Sequence, residues 1–336
     1  MKRLSGRLLL VVLALTALVA AACGGKKDAN GNPVSSSTGS TQAVNQTQGS
    51  GLTIAMVTHS DEGSFWSVVK KGAQQAAQDE GVKLIWSPSN NDPQKEAQLI
   101  DAAVSQKVDG LAVSVPNASA IKDSLAKAKA AGIPIVTLNS GADDFKSLGA
   151  ITHVGQTETI AGKAAGARLK ADGVKKVLCV IHEQNNIGLQ QRCDGVKQGF
   201  GGPVTNLQVK GTADIATTQT EIKSKLQADK SFDGVIALNP DIASAAKTAI
   251  KGASSNAKLA TFDLSPNVLK DIQSGDVQFA VDQQQYLQGY LPVVFLKLYR
   301  ENANTVGGGQ PVLTGPGFVD KTNVATVQKL TEAGTR

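Results

Sequence analysis

The chain predicts an α/β protein built as two doubly wound, parallel-sheet (Rossmann-like) lobes. Three observations carry that prediction. Its 336 residues exceed one typical domain and suit two. Short apolar segments alternate with amphipathic segments of helical period, the pattern of parallel strands covered by helices on both faces. The alternation arrives as two successive series, which implies two sheets rather than one large one.

Element by element, Leu52–Val57 reads as a buried strand and Phe65–Glu80 as a helix stopped at Gly81. Val82–Trp86 is the next strand, followed by a helix over Pro93–Lys107 with Asp92 placed to cap it. Strand Leu111–Val115, helix Ala118–Ala131 ending at Gly132, and strand Ile133–Leu138 continue the series. The second series has strands at Val177–Ile181, Val204–Val209, Val235–Leu238, Leu259–Phe262 and Val277–Val281, with helical segments between them.

The start of the chain is of a different kind. Met1–Arg7 is basic, Leu8–Ala22 is apolar apart from Thr16, and small residues precede Cys23. That is a secretory signal over 1–22, too short an apolar run for a membrane-spanning helix. Cysteine after Ala20, Ala21 and Ala22 resembles the bacterial lipobox, with Ala20 where leucine is usual. The resemblance implies that Cys23 carries lipid and becomes the mature N-terminus, plain secretion being the alternative. Residues 23–50 are mostly Gly, Ser, Thr, Asn and Gln, a composition that cannot bury enough apolar surface to order itself, so they read as a tether.

Removing the signal corrects the charge. Of 34 Lys and Arg, Lys2, Arg3 and Arg7 are lost, leaving 31 against 28 Asp and Glu, a net +3 in place of +6. The remaining basic residues are interleaved with acids, which is a solvated surface and not a nucleic-acid footprint. Export also bears on Cys179, in a strand-like run, and Cys193, on the following helix. In that compartment the strand–loop–helix spacing predicts a disulfide, with two buried free thiols as the alternative.

Ligands of open parallel sheets bind beyond the carboxyl ends of the strands. The residues found there are His59, Ser60, Asp61, Asn90, Asn91, Pro116, Asn117, Asn139, Ser140, Asn239, Asp263, Asp282 and Gln283. Amides both donate and accept and carboxylates accept twice, which suits neighbouring hydroxyls; the bland alternative is that loops are polar anyway.

The motifs in order are Ser64, Phe65 and Trp66 opening the first helix; Asp109–Val113; Ala131–Val136; Asp233–Ala237; Thr261, Phe262 and Asp263; and Val281–Gln284 ahead of Gly289. In this order and spacing, from Leu52 to about Val324, the chain resembles the type I periplasmic binding proteins, in particular the ribose-like sugar-binding subfamily. The resemblance implies two lobes joined by a three-crossover hinge and closing on ligand. Crossings would fall near Val154 and Gly155, near Gln284, and near Leu313 and Thr314. The lobes would comprise 51–154 plus 285–313, and 155–284 plus 314–336. Position by position, the first lobe would bind ligand through His59, Phe65, Trp66, Asn139 and Ser140, and the second through Arg192, Asn239, Asp263 and Gln283. Aromatic faces would cover a ring's C–H side, and Arg192 would offer its planar fork to vicinal oxygens. Many ribose-like members have Asp-Arg where Asn139 and Ser140 stand, so the missing charged pair fits a smaller or more reduced ligand such as a polyol.

The expected role is that of a monomeric ABC-importer binding protein, taking a small neutral carbohydrate or polyol to a permease, with lipid on Cys23. A sensory binder serving a membrane receptor is the alternative. Repressors share these lobes, but their DNA-binding headpiece is replaced here by an export signal. No cofactor, metal or nucleic acid is expected. His59, His153 and His182 are not at metal-ligand spacing, and the sequence has no serine-hydrolase elbow, zinc helix or phosphate loop. Asp263 and Asp282 could form a glycosidase pair, but two carboxylates on successive strands read more simply as ligand acceptors. Trp86, Tyr286 and Tyr290 read as packing residues.

Overall fold

A computed structural model of the protein describes residues 51–336. The expected signal, lipidated Cys23 and tether lie outside the described residues. The first lobe opens with β1 (Thr53–Thr58), α1 (Gly63–Glu80), β2 (Lys83–Pro88), α2 (Pro93–Ser105), β3 (Gly110–Ser114), α3 (Ala118–Ala130), β4 (Ile135–Asn139) and β5 (Thr152–Gly155). The second holds α4 (Glu158–Ala171), β6 (Val177–Ile181), α5 (Ile187–Phe200), β7 (Val204–Gln208) and α6 (Ile215–Ala228). It continues through β8 (Gly234–Ala237), α7 (Pro240–Gly252), β9 (Lys258–Phe262), α8 (Pro266–Ser274) and β10 (Val277–Asp282). The chain then returns to the first lobe for α9 (Gln285–Asn302) and β11 (Val312–Leu313), and ends in the second with β12 (Gly317–Asp320) and α10 (Val324–Glu332).

Two six-stranded sheets result, β11-β5-β4-β3-β1-β2 and β12-β10-β9-β8-β6-β7, with matching strand order. All pairings are parallel except β12 against β10. Strand period sets the cores. In β1, Ile54 and Met56 enter one apolar layer while Ala55 and Val57 enter the layer on the opposite face. In β6, Leu178 and Val180 face one layer, and Val177, Cys179 and Ile181 the other. Each sheet is therefore buried on both faces, and that is why its strands read as continuous apolar runs.

Cys179 and Cys193 are joined by a disulfide between β6 and α5, with Cα atoms 5.9 Å apart. Three strands, β5, β11 and β12, have no counterpart in the sequence reading, and β12 departs from the expected all-parallel arrangement. All three lie beside points where the chain passes between the sheets.

Glycine allows two close helix contacts. A methyl at Gly72 of α1 or Gly289 of α9 would run into the partner helix backbone, and the same holds for Gly162 of α4 and Gly199 of α5. The crossover helix of each lobe thus lies tight against that lobe's first sheet-covering helix. Trp86 is half-buried against the first-lobe core, and Tyr286 and Tyr290 stack at 5.9 Å on α9. No helix among the described residues is long and apolar enough to cross a membrane.

Candidate functional site

The carboxyl ends of the two sheets face one another across a cavity of about 290 Å³, its mouth included. Eight of the nine residues predicted to bind ligand wall it: His59, Phe65, Trp66 and Asn139 from the first lobe, and Arg192, Asn239, Asp263 and Gln283 from the second. Backbone geometry aims two of them. Asn139 ends β4 and Asp263 follows β9, the equivalent strand of the other sheet, and both adopt left-handed φ, 60° and 69°. Such a conformation is unfavourable for a non-glycine residue and is tolerated best by Asn and Asp.

The first lobe supplies an aromatic wall. Trp66 meets His59 edge-on at 4.9 Å and Phe65 at 5.2 Å. His59 is fixed from behind by Ser114 Oγ, which lies 2.8 Å from its Nδ1 and accepts from its backbone N–H at 2.8 Å.

The polar wall belongs mainly to the second lobe. Arg192 is buried, lies over the Phe262 ring, and donates to Glu158 through Nε at 2.5 Å and Nη2 at 2.9 Å. Nη1 donates to the Leu238 carbonyl, so three of its five N–H groups are engaged and two are left for the cavity. The expectation of a free fork is corrected accordingly: Glu158 takes one side of the guanidinium and fixes the rest. Glu158 is itself held by Gln156 Nε2 at 3.0 Å. Asn239 caps α7, its Oδ1 accepting from Asp241 N–H, which leaves its amide donors. Asp263 Oδ1 accepts from Gln283 Nε2 at 2.6 Å. Burial pushes the Asp263 carboxyl up to about 7, against the pull of the Arg192 charge and the Gln283 bond.

A chain of amides spans the hinge. Asn139 Nδ2 donates to Gln288 Oε1, and Gln288 Nε2 donates to Gln283 Oε1 and Thr314 Oγ1. Gln283 then reaches Asp263, so cavity-lining residues of the two lobes share one buried network.

Ser140 is the predicted residue that the structure keeps from the cavity. Its hydroxyl faces Asn139 Oδ1 at 3.1 Å and Asn186 Oδ1 at 3.3 Å, so it supports the wall from behind. Asp282 also faces elsewhere. Arg336 Nε and Nη2 bind its Oδ2 at 2.7 Å and Gln284 N–H binds its Oδ1, which places it in the hinge and breaks the supposed pairing with Asp263.

Sequence reasoning missed His182, Glu183, Asn186, Leu189 and Leu238, which complete the wall. His182 and Glu183 directly follow β6, so the same rule that found His59 after β1 would have found them. Burial lowers His182 to about 4, so its ring is neutral at neutral pH. Burial opposes the charge of Glu183, but His59, His182 and Asn186 outweigh it and hold the carboxyl below the usual range.

The lobes also touch directly. Ile187 N–H donates to the Pro116 carbonyl, Gln191 Nε2 to Asp143 Oδ2, and Ser64 N–H to Asp241 Oδ2 at 3.4 Å. The last contact caps α1, whose own N-cap position makes no side-chain bond. Among the described residues no cluster of side chains is suited to a metal ion.

Aromatic side chains on one wall and hydrogen-bonding groups on the other suit a small hydroxyl-bearing solute. Comparison with known proteins agrees in kind. The family model for the periplasmic binding protein domain matches residues 54–302. A carbohydrate transporter from Acidothermus cellulolyticus 11B, solved with myo-inositol, is 48% identical and superposes with a TM-score of 0.83 over 85% of this chain and 100% of that one. The ribose import binding protein RbsB of Haemophilus influenzae is 27% identical over 256 residues, 75% of this chain and 87% of that protein. The xylitol-binding protein of Mycolicibacterium smegmatis is 26% identical over 246 residues, 71% of this chain and 68% of that protein.

Proposed function

This chain belongs to the periplasmic binding protein family, and from that premise we propose that it is the extracytoplasmic solute-binding protein of an ABC importer. It closes on one neutral ring, a cyclitol or monosaccharide, and delivers it to a membrane permease without altering it. The relatives are binding proteins, which supports a role without chemistry. One observation carries the ligand class: a small cavity between the sheets, lined by aromatic side chains on one side and by amides, a carboxyl and a guanidinium on the other. Asn139 in place of an acid favours a polyol such as the myo-inositol held by the Acidothermus protein.

In this reading Trp66 and Phe65 cover the ring. Asp263 and Asn239 hold its hydroxyls, Arg192 donates through its two uncommitted N–H groups, and His59, Asn139 and Gln283 complete the shell. A single chain forms both walls, so one copy suffices. Lipid on Cys23 would keep the protein beside its permease.

Calorimetric titration with cyclitols, pentoses, hexoses and linear polyols tests the reading. Saturable one-to-one binding of a ring polyol is expected. Absence of binding across the panel would refute it.

A further inference from the structure

The cleft continues beyond the ring cavity. A second chamber of about 1310 Å³, its mouth included, adjoins it, and His59, His182, Glu183 and Asn186 line both spaces. Five of the thirteen other wall residues are amides, Asn90, Asn91, Gln184, Asn185 and Gln208, and four are ionisable, Glu62, Glu96, Lys210 and Glu221. Each amide can both donate to and accept from a hydroxyl.

Glu96, in the first turn of α2, also lines this chamber. It is 1% exposed, and its Oε1 has no hydrogen-bond partner. A buried polar atom left unpaired costs stability, and Ile100 and Ala103 on the same helix serve the core without needing it. Burial pushes its carboxyl up to about 8, so at neutral pH it is largely protonated and can donate as well as accept.

We infer that this chamber is a second ring subsite, and that the cleft's full ligand is a glycosylated polyol. One ring occupies the cavity between Trp66 and Asp263. A second hydroxyl-bearing ring sits among the amides, with the buried Glu96 behind its edge. The glycosidic linkage lies against the four side chains shared by the two spaces. The inference rests on the proposed function and extends it from one ring to two.

Titration of the full chain with myo-inositol and with galactosyl-myo-inositol tests it, alongside the variants Glu96→Leu and Ala213→Trp. Glu96→Leu removes the unpaired carboxyl. Ala213→Trp fills the chamber from an exposed position on its wall and leaves the ring cavity untouched. The galactoside should bind at least about tenfold more tightly than the free cyclitol. Both variants should lose that advantage while keeping the wild-type affinity for free myo-inositol. A galactoside that binds no better than the free ring, or an advantage that survives both variants, overturns the second subsite and leaves the proposed function standing. Failure of both compounds to bind overturns the second subsite for an inositol glycoside, and the wider panel of pentoses, hexoses and linear polyols then decides the proposed function.

Discussion

Replacing Asp263 by Asn should flatten the pH dependence of ligand binding and lower its ceiling. In the ligand-free cleft, burial pushes the Asp263 carboxyl from 3.8 to about 7. Ring hydroxyls donating to it would favour the charged form and draw the pKa back toward the ordinary range. Binding then releases a proton below about pH 7, so affinity rises with pH and falls about tenfold for each unit below that point. Between about pH 8 and pH 5 the loss is about a hundredfold, or about 2.7 kcal/mol. Asn cannot titrate, so its affinity should be level across this range and at least about tenfold below the wild-type maximum. Calorimetry in buffers of different protonation enthalpy reads both the affinity and the released proton. A wild-type affinity that changes less than about threefold would refute the reasoning, and so would an Asn variant that keeps the wild-type slope. Stability without ligand gives a second check. Because the folded pKa is the higher one, the stability that Asp263 contributes is complete below the unfolded pKa. It is lost as pH rises from about 4 to about 7, by roughly 4 kcal/mol. The Asn variant should therefore outlast wild type on heating at about pH 8 and lose that advantage at about pH 4.

Three further outcomes are expected. Trp66→Ala should cost about 3–5 kcal/mol of stability, because the indole is buried in the first-lobe core, whereas Trp66→Phe should keep the fold and still weaken binding; denaturant titration and calorimetry separate the two effects. Mass spectrometry of unreduced, alkylated protein should find Cys179 and Cys193 protected, and replacing both with Ala should cost roughly 3 kcal/mol in the chain-entropy account; two alkylated thiols would overturn the pairing. The wild-type protein should fractionate with membranes and Cys23→Ser should not, whereas equal release of both would remove the lipid anchor.

How much could be read in advance depended on what fixes each element. The residues of β6 coincide with the predicted strand because five consecutive buried apolar positions leave no other reading. The residues of β5, Thr152–Gly155, are few and half polar, and β11 is only two residues long. Both exist because a neighbouring edge is there to pair with, and no local pattern reports that. In the candidate site, the signal of a polar residue after a strand led to His59, Asn239 and Asp263, which the fold brings to the cavity wall. The same signal misplaced Ser140 and Asp282, because it locates the backbone and says nothing of what else the side chain can reach. Asp282 is claimed by Arg336, and Arg192 is shared with Glu158; those partners lie 54 and 34 residues away in the chain. No spacing rule links them.

The order in which the two lobes are threaded bears on how the protein is made. The first lobe needs α9 and β11, yet both emerge after the whole run from α4 to β10. Until they arrive, β5 keeps a bare edge and the groove opened at Gly72 of α1 has no helix to fill it. The second lobe in turn waits for β12, which follows both α9 and β11 in the chain. Pairings between such distant segments form slowly, because loop closure must precede the contacts that reward it. Neither lobe can complete its sheet until most of the other has been made.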